Sequence, residues 1–288
     1  MYSVTPAVAA LWRTLLSAVS AKAGVPLTWV EHGAPAPLEE LWRRTDQGAV
    51  FMCGLPFSRA EPPPPLIAAP VPSPAEFNGE AQYWSDLVVR ENSTFRSVEE
   101  TFGQRIALTV PESQSGCVAA LSYFMAAGST SPLFGEVIAP TITPLGALSA
   151  VIQGAADIAP IDSYAFRLLQ KYRPELTSQV RTVGQTARTP IPPLVASTPA
   201  ASTLAASAGN LDALRSAFLE AHQNVGQAGL EANQGASTRG VLEGLLLERF
   251  TRPDPSSYAV LRERFETATR YWRSRPFAAI IHPAFRSG

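Results

Sequence analysis

Cysteine, histidine and charge are all scarce in this chain, and each scarcity removes a class of function. Two cysteines, Cys53 and Cys117, in 288 residues are too few for a zinc site, and a chain this long needs no disulfide scaffold. The three histidines, His32, His222 and His282, have no ligand-like spacing, so no metal or cofactor is expected. Charged residues make up only 16% and the formal net charge is −1, which leaves no basic footprint for nucleic acid. No apolar run approaches the roughly 20 residues needed to cross a bilayer. No internal repeat is found.

What is abundant is apolar residue, 46% of the chain, which marks a well-buried globular protein rather than a disordered one. The length exceeds that of one ordinary core and suits two α/β lobes. Proline is also frequent, with 26 residues. Its clusters at Pro62–Pro65 and at Pro70, Pro72 and Pro74 read as stiff surface connections bounded by apolar strands.

Near the start, Val8 to Val19 is apolar but lacks the positive flank of a secretory leader, and Arg13 interrupts it. Thr5 as N-cap, Pro6 at the first helical position, apolar Val8, Leu11, Leu15 and Val19, and Gly24 as stop describe an amphipathic helix instead. With no export signal recognisable here, a periplasmic location requires one upstream; otherwise the chain is cytoplasmic.

Strand and helix signals then alternate. Strands are expected at Leu27–Glu31, Ala49–Cys53, Tyr83–Arg90, Ile106–Val110, Glu136–Ala139, Ile158–Ile161 and Val180–Val183. Helices are expected at Leu38–Arg44, after a capping box Ser97–Glu100, at Cys117–Ala127 up to the stop Gly128, and at Pro144–Gln153 and Ser163–Lys171. The C-terminal part reads as helical at Leu211–Val225, Arg239–Leu247 and Ser257–Trp272, with a loop over Gly226–Gly240. Such alternation implies mainly parallel strands with helices on both faces. A middle block with its own βα series, flanked by pieces sharing one core, implies two lobes: residues 1–88 with 189–288, and residues 89–188. The crossings are placed at Ser85–Arg90 and Thr189–Ala196.

The most informative stretch is the strand–Ser-x-Ser-Gly–helix unit from Arg105 to Ala127. The first turn of a helix leaves N–H groups unpaired and carries about half a positive charge. Ser113, Gln114, Ser115 and the N–H groups of Gly116 and Cys117 are therefore an oxyanion-site candidate, and a serine that simply caps the helix is an equal alternative. Other candidates fall at strand ends or first helical turns: Tyr2, Cys53-Gly54-Leu-Pro56, Tyr83 and Asp162. An ordinary turn is the preferred reading of Gly54 and Pro56 over a binding role, and Asp162 is at least as well suited to capping the following helix as to meeting a ligand. Tyr83 and Trp84 alternate in a strand, so one is expected in the core and the other facing a cleft or solvent. Asp157 reads as structural.

In order along the chain stand Met1-Tyr2, Cys53-Gly-x-Pro56, Gly79-x-x-x-Tyr83-x-Ser85, Ser113-Gln-Ser-Gly116, Gly154-x-Ala-Asp157-Ile-Ala-x-Ile-Asp162 and Thr186-x-x-x-Pro190-x-Pro192. Together these motifs resemble the phosphate/phosphite/phosphonate-type solute-binding proteins of ABC transporters, over roughly residues 1 to 200. The resemblance implies a two-lobed type II periplasmic-binding fold, α/β in class, with a hinge and an inter-lobe cleft. It also implies a small oxyanion or zwitterion ligand, a monomer, and an ABC permease as partner. Carried over, the serine loop would hold the oxyanion at Ser113, Ser115 and Gly116. Tyr2 and Tyr83 would line the cleft, and Asp162 would receive a protonated oxygen or an ammonium group.

Three departures stand against the family pattern. The chain starts at Met1, where relatives have a strand before the Met-Tyr pair. Thr143-Pro144 occupies the place of a Ser-His pair, which removes a donor to phosphonate oxygens. Phe77 stands where a cysteine partner for Cys53 would be. Two rival functions remain: a cytosolic ligand sensor, and an enzyme of the same fold related to thiamine-precursor synthesis. For the latter, Cys117 at a helix start is the one candidate nucleophile, and a small apolar residue is the simpler reading of it.

Overall fold

Thr5 opens the first element of the computed structural model, which describes residues 1–126, 133–197, 208–223 and 238–273. Its hydroxyl accepts from the Val8 N–H at 3.2 Å, Pro6 sits in the first turn, and helix α1 runs Pro6–Ala23. Val8, Trp12, Leu15 and Val19 bury one stripe of it. Gly24 stops it at φ 63°, a left-handed conformation that costs glycine little, and its N–H reaches the Ala21 carbonyl. Next come α2 (Leu38–Trp42), β1 (Val50–Phe51), α3 (Gly54–Arg59), β2 (Leu66–Pro72) and β3 (Gln82–Tyr83). The expected strand Leu27–Glu31 has no regular structure.

The middle of the chain supplies β4 (Ser85–Arg90), β5 (Arg105–Ala107), α4 (Ala119–Ala126), β6 (Glu136–Ile138), α5 (Pro144–Ile152) and β7 (Ala159–Asp162). It continues through α6 (Ser163–Tyr172), α7 (Pro174–Thr177), β8 (Val180–Gln185) and β9 (Thr189–Pro190). The remainder is β10 (Leu194–Val195), α8 (Ala208–Leu219), α9 (Thr238–Gly244), β11 (Leu247–Thr251) and α10 (Ala259–Arg273). The expected helix stop Gly128, the end of the helix placed at Leu211–Val225, most of the Gly226–Gly240 loop and His282 lie outside the described residues.

Two compact units result: Met1–Gln82 with Pro190–Ser257, and Tyr83–Thr189 with Tyr258–Gly288. The first contains a sheet in the order β1-β10-β2-β11, every pair antiparallel, with α8 packed on β2 and β11 and α1 packed on α8 and α9. Strand β2 is buried along its whole length at the centre of this sheet, so Pro70 and Pro72 belong to the core and not to a surface connection. The register explains how prolines are tolerated there. β10 pairs only with Leu66 and Ala68, while β11 runs beside Ala69 to Pro72 and Ser73 donates to the Leu246 carbonyl at 2.8 Å. Because N–H groups alternate sides along a strand, positions 70 and 72 face the side that β10 has already left, where no donor is needed. β11 itself is a correction, since Leu247 begins a strand instead of ending a helix.

The second unit holds a sheet in the order β7-β4-β8, again antiparallel, and a parallel pair β5–β6. A parallel bridge between Ile106 and Ile158 places β5 beside the start of β7. The expectation of mainly parallel strands therefore fails in both units: strands adjacent in space are distant in the chain, and βα alternation does not fix their direction. Helix α10, expected with the flanking segments, belongs to this unit, where it packs on α4. The unit changes at Gln82/Tyr83, two residues ahead of the crossing read at Ser85–Arg90, and at Thr189/Pro190, within the crossing read at Thr189–Ala196. Tyr83 and Trp84 are both buried, so neither alternates out to solvent. The Ser97–Glu100 box does not close either: Glu100 accepts from the Arg96 N–H at 2.6 Å and only a short turn follows.

Asp157 is structural as expected. It accepts from the Arg105 backbone and guanidinium at 2.9–3.1 Å and ties the start of β5 to the approach of β7. Burial pushes its carboxyl up, and the Arg105 bonds outweigh this and hold it below the ordinary carboxylate value.

Candidate functional site

The Ser113–Gly116 loop opens its helix with an unusually wide turn. Val118 donates to the Ser113 carbonyl at 3.0 Å and Ala119 to that of Gln114, a spacing one residue longer than in an α-helix. The Ser113 hydroxyl accepts from the Gly116 N–H at 3.0 Å. The capping reading therefore holds for Ser113, and the Gly116 N–H, expected to be an open donor, is taken by it.

Ser115 points elsewhere. Its hydroxyl donates to Asp162 Oδ2 at 3.3 Å, and both residues are buried. Asp162 also accepts from the Ala165 N–H at 2.9 Å through Oδ1, so it caps α6 and meets Ser115 at once. The Ser115 carbonyl accepts from Ser85 Oγ at 2.6 Å. Ser85 is in turn fixed from its backbone by Thr186, whose hydroxyl accepts its N–H at 2.9 Å and whose N–H donates to its carbonyl at 3.0 Å. Sequence reasoning named Ser85 and Thr186 only as parts of motifs; their shared bond was invisible because 101 residues separate them.

On the other side of the loop, Thr109 donates its N–H to the Gly116 carbonyl at 3.1 Å. A Cβ on Gly116 would lie 1.9 Å from Thr109 Oγ1 and 2.8 Å from Thr109 Cβ, so only glycine fits. Gly116→Ala is expected to cost about 1–3 kcal/mol through overpacking, measured by urea unfolding. A cost below about 0.5 kcal/mol would show that this contact relaxes freely. One residue earlier, the Leu108 carbonyl accepts both the N–H and the hydroxyl of Thr141 at 3.0 Å, joining the end of β5 to the segment before α5. There Ile142 holds a left-handed φ of 64°, strained for a β-branched residue. Thr143 caps α5, accepting from the Gly146 N–H at 3.0 Å.

The second unit therefore gathers Ser85, Thr109, Ser113, Gln114, Ser115 and Asp162 around one loop, with Thr143 linked to it through Thr141 and Leu108. Tyr83 lies in the same unit, buried, where Thr189 reaches its carbonyl at 3.5 Å. The other candidates belong to the first unit. Tyr2 is buried edge-on against Phe51 at 5.2 Å, and Cys53 and Gly54 are buried where α3 begins. The Cys53-Gly-Leu-Pro56 stretch is the start of a helix, not an ordinary turn.

Nothing in this arrangement resembles a nucleophile with its base. Cys117 sits inside an apolar cluster with Phe124, Ile106 and Leu121, and burial raises its thiol far above the ordinary value, aided by Glu112. Both cysteines are buried thiols, not a disulfide, and Phe77 is a core residue. His32 is half-buried and bonded to the Pro37 carbonyl, and His222 is exposed in the first unit. Among the described residues no group of acidic, histidine or cysteine side chains is arranged to hold a metal ion, and no helix is long and apolar enough to cross a membrane.

Comparison with known proteins places these features in a family. No curated protein sequence matches the chain. Among solved structures, the binding-protein component of an ABC phosphonate transporter from Pseudomonas aeruginosa superposes with a TM-score of 0.73 at 18% identity. That match covers 93% of this chain and 85% of the other. PhnD1 from Prochlorococcus marinus, solved with methylphosphonate, gives a TM-score of 0.71 at 17% identity over 90% and 93% of the two chains. A Xanthomonas citri protein bound to ATP follows at 0.58 and 14% identity, covering 94% of each. These likenesses establish the two-lobe type II fold. The family described as ABC transporter, phosphonate, periplasmic substrate-binding protein matches residues 3–258. Spanning nearly the whole sequence, that match makes this chain a member of the phosphonate-type periplasmic substrate-binding proteins of ABC transporters.

Proposed function

We propose that this chain captures a small, singly charged or zwitterionic oxyanion of the phosphonate or phosphate type, at the Ser113–Gly116 loop and Asp162, and delivers it to an ABC permease from the periplasmic side. The carrying observation is the Ser115–Asp162 contact at 3.3 Å, in which a hydroxyl and a carboxylate meet at the starts of two helices. Helix starts favour negative charge, whereas a carboxylate opposes it within about 4–6 Å. A ligand that carries one proton, or an ammonium group, satisfies both. A full dianion does not. Thr143-Pro144 in place of the family's Ser-His pair lacks the histidine donor that a dianion would use, and argues for a broader ligand range than phosphonates alone. Binding without chemistry is supported by Cys117, whose buried thiol is held in its neutral form by burial and by the Glu112 charge.

The test is calorimetry with methylphosphonate, inorganic phosphate, a sulfonate and an aminophosphonate, on wild type, Asp162→Ala and Asp162→Ser. The serine variant retains a capping oxygen for α6, which isolates the ligand contact from the roughly 1 kcal/mol that a lost cap costs. A hydrogen bond to a charged group contributes about 1.5–3 kcal/mol, so both variants are expected to bind about 10- to 150-fold more weakly. Unchanged or improved affinity in both variants, with wild type preferring the dianion, would overturn the role given to Asp162.

A further inference from the structure

Two side chains in the loop region combine deep burial with unmet hydrogen-bonding capacity. Gln114 is fully buried, yet neither its Oε1 nor its Nε2 has a hydrogen-bond partner. Thr109 is 4% exposed, and its Oγ1 likewise has none. That oxygen is directed at the loop itself, 1.9 Å from where a Cβ on Gly116 would stand. A buried polar group left without a partner costs about 1–3 kcal/mol, and replacing it by an apolar group of the same shape is close to neutral. Three such atoms, two within one four-residue loop and one packed against it, are therefore a standing cost at the loop that carries Ser115.

From these atoms we infer that Gln114 and Thr109 are specificity-determining residues whose hydrogen bonds are completed by the bound ligand. The inference rests on the binding role proposed above and adds to it the chemistry the ligand must present. A carboxamide offers a donor and an acceptor side by side. Its Nε2 suits an ionised oxygen of the ligand. Its Oε1 accepts only from a proton-bearing group, a P–OH or an ammonium. A site equipped this way rejects a ligand lacking that proton, because the rejected ligand leaves Oε1 buried and unsatisfied. The hydroxyl of Thr109 serves either kind of group, so it strengthens binding without adding to the choice.

This assignment separates affinity from stability, which a purely structural role does not. Gln114→Met and Thr109→Val keep side-chain size and remove the polar atoms. In the ligand-free protein both variants are expected to melt at or slightly above the wild-type temperature. Calorimetry with methylphosphonate should show at least a tenfold loss of affinity for Gln114→Met and a smaller loss for Thr109→Val. Across a pH series spanning the second ionisation of methylphosphonate, wild-type affinity should fall as the dianion forms. The Gln114→Met variant should lose most of that dependence. A lower melting temperature with affinity within about twofold of wild type would overturn the inference and leave the binding role intact. A wild-type protein that binds none of methylphosphonate, phosphate, a sulfonate or an aminophosphonate would overturn both.

Discussion

Asp86→Ala is expected to destabilise the protein by about 3–5 kcal/mol, because it breaks a buried ion pair and removes a carboxylate to which three side chains donate. Asp86 is completely buried on β4 and accepts from three side chains: Arg167 at 3.1 Å, Gln185 at 2.8 Å and the Trp84 indole at 3.3 Å. These come from α6, β8 and the residue just before β4, so one carboxylate ties together three parts of the second unit. Arg167 is only 17% exposed, and without Asp86 its guanidinium would keep its desolvation cost and lose the Asp86 charge. At roughly 2–4 °C per kcal/mol for a protein of this size, the melting temperature should fall by about 10 °C. Replacing both charges, as in Asp86→Leu with Arg167→Met, should recover much of the loss, since a well-packed apolar pair often equals a buried ion pair. A loss below about 1 kcal/mol for Asp86→Ala in urea unfolding would show the network to be dispensable.

That network also shows where sequence reading stops. Asp86 lies in an apolar strand between Ser85 and Leu87, where its charge has no local explanation. Its partners are up to 99 residues away. What was legible came from local chemistry. Thr5, Pro6 and Gly24 mark the ends of α1, Thr143 and Pro144 open α5, and Asp162 opens α6; each signal depends on neighbours within four residues. The Ser-x-Ser-Gly loop was visible for the same reason, and so was its ambiguity, which at Ser113 only the bond to the Gly116 N–H could resolve.

What stayed hidden was pairing. β2 was masked by its prolines, since Pro70 and Pro72 argue against a central strand until the reach of β10 is known. β11 follows α9 so closely that its apolar residues read as a continued helix. Strand direction was misjudged because alternation tells which elements occur and not which strands meet. Thr109 was passed over for a related reason: a threonine in a β-favouring run looks like strand filler, and its closeness to Gly116 is a fact of the fold. The place of α10 was hidden too: it enters the core of the second unit through Ala268, a small residue among polar ones that gave no sign of it.

That core carries the last prediction. Phe124 on α4 is fully buried and meets Phe134 at 4.9 Å, Tyr123 at 5.9 Å and Phe102 at 6.2 Å, each pair steeply inclined. Inclined pairs of this kind add about 0.5–1.5 kcal/mol beyond the area they bury. The same cluster includes Ile106 on β5, Cys117 in the wide first turn of the site loop and Ala268 on α10. Phe124→Ala removes the centre of this cluster, and the rigid rings around it can close only part of the space. A loss of about 3–5 kcal/mol is expected, against a clearly smaller loss for Phe124→Leu, which fills more of the same volume. Because α10 packs on α4, its backbone amides should also exchange faster in Phe124→Ala, measured by hydrogen exchange and mass spectrometry. The first unit holds none of these contacts, so exchange in α1 and β2 should change much less. Equal acceleration in both units would mean that they unfold together, and that Phe124 supports the whole chain instead of the unit that carries the site.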